Sequence, residues 1–350
     1  MYMSWSIQPF DPQSASEETV RPVHEFLVAI EAELEPEDPP RSLEYTVSNF
    51  RSYGLISSQK IITFYAWSGN LAIGRVFLSV GNEAENRHML WCDVAVLATH
   101  RGRGIGRALF EKAVEVAEAE GRRLIMGSTD SAVPAGEAFA RRTGASVGLI
   151  DATSELRLSG LDPEILVAWQ RAAPTHEFQL LTWLGPYPEE YLARMAALHE
   201  VMNTAPKGDL DYEDERVTPE NLREWEAYAA ARGVEPWTVV AQHIASGELV
   251  GYTEVDWRPD KPGLLTQSGT VVNPAFRGRG LGRWLKATML DLVLRERQQV
   301  TRVRTSNADS NESMLRINEA LGFRQLRTET EWQVGTDRAR EFLDTRSPRE

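Results

Sequence analysis

The chain has 350 residues, 42% apolar and 25% charged, which suits two soluble domains of about 150–180 residues, each with its own core. A formal net charge of −13 argues against a nucleic-acid binder, because reading a phosphate backbone needs excess Lys and Arg. The same acidity leaves room for a cationic or amine substrate.

Taken from the N-terminus, the chain shows no basic segment followed by an apolar stretch, and no apolar run near the ~20 residues of a membrane span. His24 to Glu33 has helical periodicity, and Ile61 to Trp67 with Leu71 to Val80 reads as a hairpin around Ser68-Gly69-Asn70. A strand from Trp91 to Leu97 follows. The single cysteine, Cys92, lies in the apolar run Met89-Leu90-Trp91-Cys92 and reads as a core residue. With no disulfide possible, a reducing compartment is expected, hence a cytoplasmic location. Arg101-Gly102-Arg103-Gly104-Ile105-Gly106-Arg107 then opens a helix on which Ile105, Leu109, Ala113 and Val116 share one face, with Gly121 past its end. Arg123 to Met126 is the next strand.

The pattern breaks at Ser159-Gly160, and Asp162-Pro163 starts a helix to about Ala172 by the cap and proline signals. The second half repeats the first. A helix is expected over Glu189 to Met202, and a hairpin pairs Trp237 to Gln242 with Leu249 to Val255. The strand Ser268 to Val272 ends at Asn273-Pro274. Arg277-Gly278-Arg279-Gly280-Leu281-Gly282-Arg283 opens a helix lined by Leu281, Leu285, Met289 and Leu292, and Val300 to Arg304 is a strand. Each strand–helix–strand unit implies a parallel pair with a right-handed crossover. The expected organisation is an N-terminal domain over 1–159, a connector helix over 160–176, a C-terminal domain over 177–335 and a polar tail over 336–350.

A loop of this kind suits phosphate. The first turn of a helix leaves N–H groups unpaired at the positive end of its dipole, and glycines let a diphosphate approach the backbone. Arginines add charge and paired donors. The P-loop is excluded because each last glycine is followed by Arg107 or Arg283 rather than Lys and a hydroxyl residue. The Rossmann fingerprint has another glycine spacing and follows the first strand of its fold. The six histidines form no His-x-His or His-Glu-x-x-His spacing, so no catalytic metal is expected.

These residues resemble the GCN5-related N-acetyltransferase (GNAT) superfamily, once per half. Arg277, Gly280 and Gly282 match its Arg/Gln-x-x-Gly-x-Gly/Ala signature, with Val272 and Pro274 on the strand before. Arg101, Gly104, Gly106, Val94 and Val96 match in the first half, where Ala98 replaces the proline. The tandem arrangement is similar to that of the mycothiol synthase family. The resemblance implies an α/β (α+β) fold for each half, with a mixed, mostly antiparallel central sheet flanked by helices and carrying the parallel strand–helix–strand unit. It also implies acetyl-CoA as cofactor, held by Val96, Arg101, Gly102, Arg103, Gly104 and Gly106 in one half. Val272, Arg277, Gly278, Arg279, Gly280, Leu281 and Gly282 would hold it in the other.

The halves differ downstream. The second carries Asn307 and Asn311 before Leu321-Gly322-Phe323, which the resemblance assigns to pantetheine binding. The first has no asparagine there and ends in Thr143-Gly144-Ala145. Chemistry is therefore expected in the C-terminal half, with the N-terminal half structural or binding coenzyme A without turnover. Asn318 stands where many family members carry a tyrosine that protonates the leaving thiolate, and an amide is no comparable acid. Glu254 is the candidate base for an attacking amine. The acidic stretch around Asp211, Tyr212 and Glu213 is the candidate acceptor site for a small-molecule amine. The expected enzyme is an N-acetyltransferase acting as a monomer or homodimer, without nucleic acid or membrane partners. The alternatives are a non-catalytic acyl-CoA-binding protein and a mycothiol-synthase-like thiol-pathway acetyltransferase.

Overall fold

The computed structural model describes residues 5–345. In chain order the elements begin β1 (Ser6–Phe10), α1 (Glu17–Leu34), α2 (Leu43–Ser52), β2 (Gln59–Ser68), β3 (Leu71–Gly81) and β4 (Met89–Val96). There follow α3 (Ile105–Ala119), β5 (Leu124–Asp130), α4 (Pro134–Arg142), β6 (Ser146–Arg157), α5 (Pro163–Arg171) and β7 (Phe178–Leu184). Next come α6 (Leu192–His199), α7 (Pro219–Ala231), β8 (Glu235–His243), β9 (Leu249–Trp257) and β10 (Leu264–Val272). The chain closes with α8 (Leu281–Glu296), β11 (Arg302–Ala308), α9 (Glu312–Leu321), β12 (Arg324–Gly335) and α10 (Thr336–Asp344).

Local signals explain most boundaries. Ser16 caps α1 by accepting from the Thr19 N–H, and Val20, Val23, Phe26 and Leu27 form its buried stripe. The helix thus starts at Glu17, ahead of Pro22 and of the expected His24. Thr218 and Asn221 form a reciprocal capping box at α7, with Pro219 in its first turn.

Two compact units result, and they are not contiguous halves. The first holds residues 1–150, 207–213 and 328–350; the second holds 151–206 and 214–327. In the first, the strands run β1-β2-β3-β4-β5-β12, and in the second β6-β11-β10-β9-β8-β7. Residues 329–335 of β12 pair antiparallel with β5 in the first unit, while residues 151–157 of β6 pair antiparallel with β11 in the second. The first unit is therefore completed by β12, from late in the second half, and the second by β6, from the end of the first half. The division falls at 150/151, not at 159. The parallel pairs are β4–β5 and β10–β11, and the remaining ladders of each sheet cited here are antiparallel.

Two further expectations are corrected. Residues 160–176 are not a connector, because α5 belongs to the second unit and packs on α8. Leu166 is 4% exposed, with Ile165 and Trp169 beside it in the core. Leu166→Ala is expected to destabilise the second unit by about 2–5 kcal/mol, the usual range for a buried leucine. Urea unfolding followed by tryptophan fluorescence measures this, and an unchanged midpoint would return α5 to the status of a linker. Nor is 336–344 a solvated tail. Thr336 donates to the Arg122 carbonyl at 2.7 Å, Ala339 is fully buried, and Arg340 forms a bidentate pair with Glu118 at 2.9 and 2.6 Å. The reason is amphipathicity, since Ala339, Phe342 and Leu343 present one apolar face to α3.

Each sheet is covered on both faces. In the first unit α3 and α10 cover one core, and α1 and α2 the other. In the second, α8 and α5 cover one, and α6 and α7 the other. Among the described residues no helix is long and apolar enough to cross a membrane, and no group of three His, Cys, Asp or Glu could hold a metal.

Candidate active site

Both glycine loops enter their helices the same way. Gly102 and Gly104, like Gly278 and Gly280, have positive φ between 74° and 82°, a region that only glycine occupies without strain. Gly104 and Gly280 are the N-cap residues of α3 and α8, and neither supplies a side chain to the first-turn N–H groups. A Cβ at any of these four positions would meet nothing within 4 Å. The glycines of each loop thus open onto unfilled space and no side chain caps the helix start, which fits a diphosphate. Gly106 and Gly282 differ. Their Cβ positions lie 3.8 Å from Phe139 and 3.4 Å from Ile317, so they serve the packing of α4 and α9.

The leading arginines do not extend into that space. Arg101 Nε donates to the Val96 carbonyl at 3.0 Å, and its two terminal nitrogens grip Glu33 at 2.6 Å each. Arg277 Nε donates to the Val272 carbonyl at 2.9 Å, and its NH2 reaches Thr204 at 2.6 Å. Each guanidinium latches its loop to the end of the preceding strand. Arg103 donates to the Thr99 carbonyl, and Arg279 pairs with Glu177 at 2.7 Å. Leu281 is 1% exposed, so only its backbone is available to a ligand.

Beside each loop a parallel pair of strands parts. β10 pairs with β11 over Leu264–Thr266 only; β11 then continues along β6 while β10 continues along β9. β4 likewise pairs with β5 only over Met89–Trp91. The outer backbone edge of each departing strand can bond an extended ligand whose phosphates sit at the helix start. In the second unit the β9–β10 register also shifts between Gln267 and Thr270, a bulge that re-aims the backbone there. The β3–β4 register has no such shift.

On one face of the second sheet lies a mostly buried polar cluster, with the His199 and Glu254 side chains 11% and 17% exposed. Glu254 Oε1 accepts from the Tyr187 hydroxyl and from Thr238 Oγ1 at 3.1 Å, and lies 3.8 Å from His199 Nε2. The His199 ring is held between Tyr187 OH, 3.1 Å from Nε2, and Tyr252 OH, 3.2 Å from Nδ1. Tyr252, Glu254 and Asp256 alternate along β9, which brings them to a common side. Burial raises the Glu254 carboxyl to about 7; the Tyr187 and Thr238 bonds oppose the shift and the Asp256 charge adds to it. Burial lowers His199 to about 4, leaving a neutral imidazole. Both tyrosine hydroxyls are raised, first by burial and then by the Glu254 charge.

The opposite face carries a second cluster. Lys286 Nζ, on α8, donates to Gln267 Oε1 at 3.0 Å and Asn318 Oδ1 at 2.7 Å. Asn318 Nδ2 donates to Asn307 Oδ1 at 2.8 Å. Asn311 caps α9, accepting from the Met314 N–H and the Ser313 hydroxyl, so its oxygen serves the helix rather than a ligand.

Residues 26–145 match the Acetyltransferase (GNAT) family, and residues 183–324 match the Acetyltransferase (GNAT) domain. The chain belongs to the GNAT superfamily. It is a tandem GNAT protein, similar to a tandem GNAT protein from the clavulanic acid biosynthesis pathway solved without AcCoA. That similarity is 28% identity and a TM-score of 0.79 over 95% of this chain and 99% of the other. A GCN5-related N-acetyltransferase from Sphaerobacter thermophilus shares the fold, at 14% identity and a TM-score of 0.63 over 95% and 96% of the two chains. No curated protein matches by sequence. GNAT proteins generally transfer acetyl groups from acetyl-CoA.

The two GNAT units are not chemically equal. The pairings Gly74–Val96 and Gly251–Val272 put β3 and β9 in the same register, so Tyr252 and Glu254 correspond to Arg75 and Phe77. The first unit thus has no carboxylate at the Glu254 position, and Arg75 is neutralised there by Asp93. Counting from the matched glycines, Lys286 corresponds to Phe110, which packs on Phe139 and Phe342.

The acidic stretch is placed elsewhere. Asp211 pairs with Arg123 at 2.9 Å and His88 at 3.4 Å, and Glu213 is bonded to Asn86, all within the first unit. Tyr212 lies under Lys207 Nζ at 5.3 Å. These groups act as a clasp on residues 86–123 and do not join Glu254. Tyr187, His199, Tyr252 and Lys286 were not expected from sequence. Lys286 follows Leu285 but lies outside the expected stripe of Leu281, Leu285, Met289 and Leu292, so that stripe gave no sign of it.

Proposed function

We propose that the second unit transfers the acetyl group of acetyl-CoA to the amine of a small molecule, with Glu254 as the base. Acetyl-CoA would supply an activated acyl carbon and a thiolate leaving group. Gly278, Gly280 and the first N–H groups of α8 would hold its diphosphate, and the free edge of β10 beyond Thr266 its extended arm. The observation that carries the reading is Glu254 itself, a carboxyl tuned to about 7, present beside only one of the two loops. A base with that affinity accepts a proton from an ammonium-derived nitrogen near neutrality and releases it afterwards. Tyr187 and Thr238 fix its orientation, and neutral His199, itself oriented by Tyr252, adds no charge that would hold it ionised. The first unit has the loop and parted strands without the carboxylate, which supports ligand binding without turnover.

The test is thiol release from acetyl-CoA across a panel of primary amines, with mass spectrometry of the products and calorimetry of coenzyme A binding. Thiol release matched by acetylated amine is expected for at least one class of acceptor. Tight coenzyme A binding without any transfer would instead favour a non-catalytic acyl-CoA-binding protein, and no binding would sink both readings.

A further inference from the structure

Lys286 is an unusual residue to bury. It is 1% exposed, yet among the described residues no carboxylate pairs with its ammonium. Lysines are almost never fully buried without a counter-charge, because removing the charge from water is costly. Its surroundings are arranged around it. Gln267 gives its amide N–H groups to Thr253 Oγ1 at 2.7 Å and Thr270 Oγ1 at 3.0 Å, which turns its oxygen toward Lys286. Asn318 gives its amide N–H to Asn307, which does the same. The Phe323 ring lies 5.6 Å from Nζ. An ammonium has three N–H donors, and among the described residues two protein acceptors meet them.

The place matters as much as the partners. Gln267 sits at the β10 bulge, at the point where β10 leaves β11, while Asn307 lies on β11 and Asn318 on α9. Lys286 therefore stands at the base of the fork between the two strands, on the helix whose glycine loop opens onto unfilled space.

We propose that Lys286 meets the sulfur of coenzyme A at the base of this fork and donates the proton that the departing thiolate takes up. The proposal rests on the reading of the second unit given above. In the step, the amine nitrogen forms the N–C bond and the C–S bond breaks. Glu254 accepts the proton lost by nitrogen, and the Lys286 ammonium passes one to sulfur and becomes a neutral amine. Proton exchange with solvent restores both groups, so amine and thioester yield amide and thiol. Burial lowers Lys286 to about 7, below the ~8.5 of an ordinary thiol, so transfer to a thiolate runs downhill. Asn318, at the position where an acid was missing in the sequence, orients this donor instead of acting as one.

The experiment compares wild type with Lys286→Met in two measurements. The first is alkylation by bromoacetyl-coenzyme A at pH 8, read by peptide mass spectrometry. A neutral Lys286 amine facing the thioester position should displace bromide and carry the label, and Lys286→Met should carry none on that peptide. The second is turnover with acetyl-CoA against turnover with an acetyl thioester of an acidic aromatic thiol, which needs no proton on leaving. Lys286→Met should lose about 100-fold with acetyl-CoA and under about tenfold with the activated donor. Absence of label on Lys286 would overturn the proposal, as would equal losses with both donors. Label on Lys286 without turnover for any amine would uphold the placement of Lys286 and sink the catalytic reading alone. The methionine leaves the Gln267 and Asn318 oxygens without their donor, at a cost of about 1–3 kcal/mol each. Should the methionine variant fail to fold, Lys286→Gln serves in its place.

Discussion

Glu254→Gln is expected to lower kcat by about 10²–10⁴-fold while coenzyme A affinity stays unchanged, because the amide keeps the shape and loses the base. The carboxyl is surrounded by Tyr187 from the loop after β7, Thr238 from β8, His199 from α6, and Tyr252 and Asp256 from its own strand. None of these is cationic near neutrality, so burial sets its affinity for protons. The wild-type rate should therefore peak near pH 7, rising as the carboxyl ionises and falling as Lys286 gives up its proton, and Glu254→Gln should lack the rising limb. A profile of kcat against pH in both proteins measures this; an unchanged rise in the variant would remove Glu254 from the mechanism.

The same shift predicts an effect on stability of opposite sign. The folded-state value is raised above the ordinary 4.5, so the native carboxyl holds its proton longer than the unfolded one. Below about pH 4 both states are protonated and the shift contributes nothing. Between there and about 7 the native state is progressively penalised, by up to about 3 kcal/mol at higher pH. Glu254→Gln should thus be less active and more stable at pH 8, with the stability gain vanishing near pH 4. Thermal unfolding at the two pH values distinguishes this from a merely structural carboxylate.

Gly280→Val is the second large effect, and it is best read beside Gly104→Val. Both glycines sit at φ near +80°, where a β-branched residue is strained, and both Cβ positions point into the space left for a ligand. The strain costs about 1–2 kcal/mol at each, so each variant should lose some stability. Turnover should separate them: Gly280→Val is expected to abolish it, and Gly104→Val to leave it largely intact. Calorimetry on the two variants assigns any coenzyme A binding to one unit or the other. Loss of turnover in Gly104→Val alone would place the chemistry in the first unit, contrary to the reading of Phe77 and Phe110.

Much of this frame was legible beforehand because it is local. The αL glycines, the strand before each loop and the helix after it lie within a few dozen residues, and their periodicities change at the loop. Glu254 is a candidate from the sequence by its place on the strand Val250 to Val255, one face of which should approach the substrate. What it concealed was pairing across sequence distance. Tyr187 and Glu254 are 67 residues apart, His199 and Tyr252 are 53, and nothing in the spacing ties either pair together. Asn318 stands out in the sequence as an amide where an acid is common, but its partner Lys286 is 32 residues away and outside the expected stripe of α8.

The arginines illustrate the limit of motif reasoning. Placed before a glycine loop they suggest phosphate ligands, yet Arg101 and Arg277 turn back to the Val96 and Val272 carbonyls, because a strand end leaves an acceptor unsatisfied five residues away. The acidic stretch over 209–215 shows the same limit from the other side. Its charge invited a substrate, and Arg123, His88 and Asn86 engage it first.

The paired loops, the parallel strand–helix–strand units and the likeness to one superfamily were determined by the sequence alone, since backbone conformation and amphipathic period are set by near neighbours. Only the tertiary structure decided which strand completes which unit, through ladders between residues far apart in the chain such as β12 with β5 and β6 with β11. It also decided which carboxyl and which lysine lose their water, and burial is what turns Glu254 and Lys286 from ordinary side chains into groups that exchange protons near neutral pH.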